Sequence, residues 1–355
     1  MPLSSDIPTA TLEWLTATEN PAVAVMTRRR LLGEAQTREL DALWARRNEY
    51  EPVAAILAGA AALIDPAAPT WDYQKYRGPL WQVHFLGELW TDGGDPRATE
   101  LADYAFSRQL DDGAWSVSGK PAGAIPCLTA NVGRALARMG WARDERVAAA
   151  LARVATDAQE AGHLSCGRRE AYTLNGYCHM LAPKLLLFLG EVPRDLWPDG
   201  ADAMLDECVR VLRTREIFRC LPEGSRAYLE VAGKRKPAEL PALREQWLAE
   251  HGPLVYAEKP GWLKFGFPLS YNSDALESLA ALTAVGERGR PEYAPALELV
   301  RNAADSDMRW TLRNSFNGKM LADVEKKGQP SRWLTLRALQ VLRHFEGGRP
   351  AAAPS

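Results

Sequence analysis

Along most of the chain apolar residues return at intervals of three and four, and no stretch sustains strict alternation, so the pattern predicts helices throughout. Helices are expected over 13–17, 21–32 and 36–63, with Pro21 in a first turn, where its missing N–H costs nothing. The stretch 71–78 (WDYQKYRG) reads as a turn-like link, and PLWQVHFLGELW after it as a helix of large apolar groups.

A repeat follows. A helix starting at Asp95 carries Leu101, Tyr104, Ala105 and Leu110 on its apolar side, ends in LDDGAW (110–115), and gives way to a second helix near Pro126. From Asp95 to Asp144, an offset of 49 residues, the order begins again, with Val147, Ala150, Leu151, Val154 and Ala155 as an amphipathic stripe and a second helix starting near Cys178. A third copy uses Met204, Leu205, Cys208, Val209 and Leu212, its second helix (about 270–285) delayed by an insertion over 213–267. The fourth uses Tyr293, Ala296, Leu297 and Val300, then DSDMRW (305–310) and SRWLTLRALQVLRHF. The first helix of each pair is polar on one face and expected outside. The second is more continuously apolar and expected inside.

Composition changes this picture little. The 355 residues can bury a large core, and a net charge of −2 argues against nucleic acid as a partner. Five cysteines form no regular framework, and the N-terminus lacks the pattern of a signal peptide, so a cytoplasmic location is expected. The most apolar run, 53–64, is too short to span a bilayer and reads as a buried helix. Residues 1–70 are taken as an N-terminal helical extension, 71–346 as the repeat region, and 347–355 as a disordered tail.

Helical hairpins at this period form either an open solenoid or a closed α/α toroid. The turn Asp112-Gly113-Ala114-Trp115, with the looser Asp307-Met308-Arg309-Trp310, resembles the QW-type repeat of squalene cyclases and protein prenyltransferase β-subunits. The segments 73–89, 125–136, 259–282 and 313–342 resemble those of a bacterial squalene-cyclase/prenyltransferase-like family, so the resemblance covers about residues 20–345. It implies an all-α fold, an α/α toroid with inner and outer helix rings, and says little about chemistry. The Asp-x-Asp-Asp motif of acid-initiated cyclases is absent; Asp111-Asp112 and Asp305-Ser306-Asp307 belong to helix ends and turns.

In such a toroid the inner helices open their N-termini at one cavity mouth, where 77–84, 126–131, 178–184, 270–277 and 331–337 would lie. Cys127 and Cys178 then occupy equivalent positions on neighbouring inner helices. With Cys166 in the intervening loop and His179 adjacent, they form a candidate zinc set, His163 in reserve. The arrangement resembles that of lanthionine cyclases, another zinc toroid. Buried thiols packing as small apolar groups are the plain alternative, and a nucleophilic Cys178 paired with a histidine is a third.

Asp274 and Tyr271 on an inner helix, and His84 with Glu88 one turn on, are candidates for proton transfer. A helix cap for Asp274 and a core histidine are the competing roles. Tyr76, Arg77, Trp81, Asn131, Lys184, Trp262, Arg332 and Trp333 are candidate substrate contacts, and Lys264 would add positive charge at the mouth. The insertion is either a lid or a solvated surface loop. The expected function is zinc-assisted chemistry on an apolar small molecule of isoprenoid or polyketide kind. Zinc-dependent thiol chemistry and a non-catalytic toroid binding a lipid-like ligand or a protein partner are the alternatives.

Overall fold

The computed structural model describes residues 7–65, 72–166 and 172–346. It is mostly helical. In chain order the helices are α1 (Thr9–Thr16), α2 (Pro21–Met26), α3 (Arg38–Ala45), α4 (Glu51–Ala58), α5 (Ala60–Ile64), α6 (Pro79–Glu88), α7 (Pro96–Ser107), α8 (Pro126–Leu136), α9 (Glu145–Ala161), α10 (Leu181–Leu189), α11 (Ala201–Thr214), α12 (Ser225–Ala232), α13 (Leu240–His251), α14 (Ala275–Ala284), α15 (Ala294–Asn302) and α16 (Arg332–Glu346). The helix expected over 36–63 is divided. Pro52, which cannot sit mid-helix, opens α4, and Gly59 separates α4 from α5. The tail expected over 347–355 lies outside the described residues.

Burial separates two rows of helices. Every residue of α6 and α10 is buried, as is every residue of α8 except Cys127. By contrast α9 buries only Val147, Ala150, Leu151, Val154 and Ala155, the stripe its periodicity predicts. The inner helices pack in sequence, α6 on α8, α8 on α10, α10 on α14 and α14 on α16, while α7, α9, α11 and α15 cover them. Close approach is set by glycine. A Cβ on Gly87 of α6 would stand 2.4 Å from Ala135 of α8, and one on Gly133 would stand 2.5 Å from the Phe188 ring of α10.

The C-terminal ends of α6, α8 and α10 share a buried ionic cluster, joined by an arginine from the first half of α16. Arg134 pairs with Glu88 and Arg138 with Glu191, while Arg337 of α16 reaches Glu88 of α6 at 3.4 Å. The last inner helix is thereby tied to the first. Helix C-termini favour cations, which helps offset three guanidinium groups facing two carboxylates.

The insertion folds as a small module. Strand β1 (Leu221–Pro222) pairs antiparallel with β2 (Tyr256–Ala257), and α12 and α13 lie between them in the chain. Its core of Tyr228, Ala232 and Leu240 closes on Leu174, and Arg215 donates to the Tyr177 hydroxyl at 2.9 Å. The insertion therefore packs against the segment leading into α10. Among the described residues, no helix is long and apolar enough to cross a membrane.

Candidate functional site

Two kinds of N-terminus meet at one end of the inner row. Helix α14 is capped by Asp274, whose Oδ1 accepts from the Glu277 N–H at 2.7 Å. Helix α16 is capped by Ser331 and by Glu325, which accepts from the Arg332 N–H at 2.8 Å. Among the described residues, α6, α8 and α10 carry no side-chain cap. Their first N–H groups bond to backbone carbonyls instead, Leu80 to Asp72 O, Leu128 to Ile125 O and Leu181 to Cys178 O.

The thiols lie near two of these ends. Cys127 is the second residue of α8. The Cys178 N–H donates to the Leu164 carbonyl at 2.7 Å, which brings the two strands of the intervening loop together and sets Cys166 beside Cys178. The Cys166 and Cys178 thiols are in hydrogen-bonding contact, and Cys127 interacts with both. All three residues are partly exposed, unlike the buried Cys208 and Cys220. Burial, and after it Cys166, pushes the Cys127 thiol up to about 12. For Cys178 the bond from Cys166 is the larger cause of a strong rise, with burial second.

His179 does not join them. Its Nε2 faces the Ile217 carbonyl at 3.0 Å and its ring packs on Trp262 at 4.9 Å between centroids. Burial lowers its pKa to about 3. Cys178 and His179 precede α10, which starts at Leu181, so no helical spacing holds the adjacent side chains to one face. Among the described residues, no three His, Cys, Asp or Glu side chains stand as a ready-made metal set. Of the expected tetrahedral set, Cys166 and Cys178 are in contact, Cys127 interacts with them electrostatically, and His179 is turned away.

Next to the thiols the interior is filled with rings. Trp81 stands 6.0 Å from Tyr73, 4.9 Å from Tyr76, 5.4 Å from Tyr271 and 6.2 Å from Phe316. Tyr73 interacts with Tyr271 and with Cys127, and burial raises its pKa. Tyr76 holds a left-handed backbone, φ 70°, with Lys75 and Lys319 each over its ring. Arg77 beside it is exposed. Two hollows among the described residues lie elsewhere. One of about 200 Å3 is lined by Phe265, Trp310 and Arg313, the other of about 360 Å3 by Gln109, Glu145 and Arg146.

Several expected site residues are fixed by the fold. Lys184 is buried and bonds both oxygens of Glu277 at 2.6 Å, so its charge is matched within the protein. The second oxygen of Asp274 accepts from the Gly266 N–H at 2.8 Å, and burial with the nearby Glu277 raises its pKa to about 7. Asp274 has the geometry of a cap joining α14 to its preceding loop. His84 faces the Leu269 carbonyl at 2.7 Å, and burial lowers its pKa. Arg332 donates to the Trp14 carbonyl at 3.0 Å, and Trp333 stacks on Phe267 at 4.9 Å. Asn131, one turn beyond Cys127 on α8, is buried, and its amide nitrogen has no partner among the described residues.

Tyr73, Phe316 and Glu325 were not anticipated from sequence. Tyr73 lies in a turn-like link and the other two in the irregular stretch before α16, where no periodicity marks an inward side chain. Compared with protein-family models, curated proteins and solved structures, the chain shows no match.

Proposed function

We propose that the two rows of helices close into an α/α toroid and that the chain is an enzyme of the terpenoid-cyclase/prenyltransferase-like class, with zinc bound by Cys127, Cys166 and Cys178. The observation that carries this reading is the contact of the Cys166 and Cys178 thiols and their electrostatic interaction with Cys127, beside two helix N-termini without side-chain caps. Closure of the ring is supported by the contact of Arg337 with Glu88.

Three sulfurs are soft donors that suit zinc, and they leave one tetrahedral position open, as catalytic sites do. Zinc binding takes thiolates, so a bound metal would offset the upward push that burial gives the Cys127 and Cys178 thiols. Bound zinc would polarise a carbonyl or activate a coordinated water or thiol. The surrounding rings of Trp81, Tyr271 and Phe316 offer contact to an apolar small molecule of isoprenoid or polyketide kind. The Tyr73 hydroxyl, which interacts with Cys127, is a candidate proton donor there. Zinc-activated thiol chemistry of the lanthionine-cyclase kind would use the same three sulfurs.

Metal analysis tests the reading. Protein expressed with zinc supplied is expected to hold about one zinc per chain, and the Cys127→Ser/Cys178→Ser double variant almost none. Folded wild-type protein with less than about 0.3 zinc per chain would refute it. That result would select a second reading, a toroid that binds a lipid-like ligand or a protein partner without chemistry. The ring-filled interior around Trp81 favours this alternative.

A further inference from the structure

We propose that Cys166 and Cys178 form a reversible oxidation site, converted by low-molecular-weight disulfides of the glutathione type into an intrachain disulfide. The inference concerns thiols of the site above but needs no metal.

Geometry carries it. The 2.7 Å bond from the Cys178 N–H to the Leu164 carbonyl holds the two ends of the loop side by side. Cys166 lies two residues beyond Leu164, and its thiol is in hydrogen-bonding contact with that of Cys178. Both residues are partly exposed, so a small disulfide can approach either. Cys208 and Cys220 are buried and lack this access.

The chemistry is two successive exchanges. One thiolate attacks glutathione disulfide, forming a mixed disulfide and releasing one glutathione. The second thiol loses its proton and displaces the other glutathione, leaving the Cys166–Cys178 bond. Two protein thiols are oxidised and one glutathione disulfide is reduced to two thiols. The product links residues 12 apart (166 to 178) and pins the entry of α10, the segment on which the insertion packs. Excess reduced glutathione reverses both steps.

The test uses full-length, chelator-treated protein equilibrated with glutathione buffers under native conditions, followed by thiol counting and a non-reducing tryptic map. At equal concentrations of the two glutathione forms, more than half of the wild-type chains should lose two of their five thiols. The map should join the peptides bearing Cys166 and Cys178. Cys127→Ser should form the same link, and Cys166→Ser should carry a glutathione adduct instead. Retention of all five thiols in the wild type, or a link through Cys127, Cys208 or Cys220, overturns the proposal. The wild-type map decides even where a variant fails to fold. Zinc content is measured separately, so the metal reading can fail while this one stands.

Discussion

Lys184 of α10 and Glu277 of α14 form a two-pronged ion pair, 2.6 Å from the ammonium to each carboxylate oxygen, with side chains 1% and 2% exposed. The Ser273 hydroxyl and the Asn272 carbonyl complete the coordination at 2.6 and 3.0 Å. A matched, hydrogen-bonded pair costs little once formed, but one partner left alone is a buried charge. Lys184→Met and Glu277→Gln should each destabilise the fold by about 3–5 kcal/mol. The Lys184→Met/Glu277→Leu double variant should recover most of that loss. Urea unfolding of the three variants checks this; single variants within about 1 kcal/mol of wild type would show that the pair is not dry.

Trp115 and Trp310 repeat one anchor in two hairpins. The Trp115 indole donates to Ala105 O and its N–H to the Thr129 hydroxyl, at 2.7 and 3.0 Å. Trp310 makes the same bonds to Val300 O and Thr335, at the same distances. Each Trp therefore clamps an outer helix to its inner partner. Trp115→Ala and Trp310→Ala should each cost about 3–5 kcal/mol through the cavity left behind. Thr129→Val and Thr335→Val, which strand a buried backbone N–H, should cost about 1–3 kcal/mol. Matched losses in the two hairpins are expected, and a loss confined to one would show that the anchors are not equivalent.

These Trp residues also show what the sequence makes legible. Asp-x-x-Trp turns and the stripe from Val147 to Ala155 mark position, because a helix stripe and a tight turn have local signatures. The repeat register puts Cys127 and Cys178 near the starts of neighbouring buried helices, and they stand at the second residue of α8 and three residues before α10. The direction of His179 did not, since it stands before α10 in a segment whose side-chain directions are set by tertiary contacts. Phe316 and Glu325 were hidden for a related reason. Both come from an irregular stretch whose path is fixed by bonds to distant parts of the chain, such as that from the Tyr50 hydroxyl to Val324 O. The filling of the interior depends on such residues, and periodicity is silent on them.

The buried caps give stability a pH dependence of unusual sign. Burial is the first cause for both Asp274, raised to about 7 from 3.8, and Glu325, raised to about 7 from 4.5. A raised carboxyl pKa means that the folded state binds the proton more tightly than the unfolded chain does. This contribution is fully present below the unfolded values and is lost as pH rises through about 7. Glu88 and Glu191 act in the opposite sense, their pKa values lowered by arginines despite burial, so their contribution is lost only as pH falls below the ordinary carboxylate range. Urea midpoints between pH 5 and 7.5 should fall, and Asp274→Asn should flatten the slope whatever its effect on absolute stability. An unchanged slope in that variant would mean that Asp274 is ionised throughout.

His179 and Cys178 are adjacent in sequence, and only Cys178 belongs to the proposed zinc set. The His179 Nε2–H donates to a carbonyl of the insertion, Ile217 O, which fixes the neutral tautomer and turns the ring onto Trp262. His179→Gln keeps a donor of similar reach and should leave zinc content unchanged. It should loosen the insertion, seen as faster amide exchange over 172–179 and 215–220. Cys127→Ser, Cys166→Ser and Cys178→Ser should each lower zinc by more than about half, because a three-sulfur site loses its tetrahedral geometry with any one of them. Loss of zinc in His179→Gln with exchange unchanged would return the imidazole to the ligand set and require the start of α10 to turn inward on metal binding.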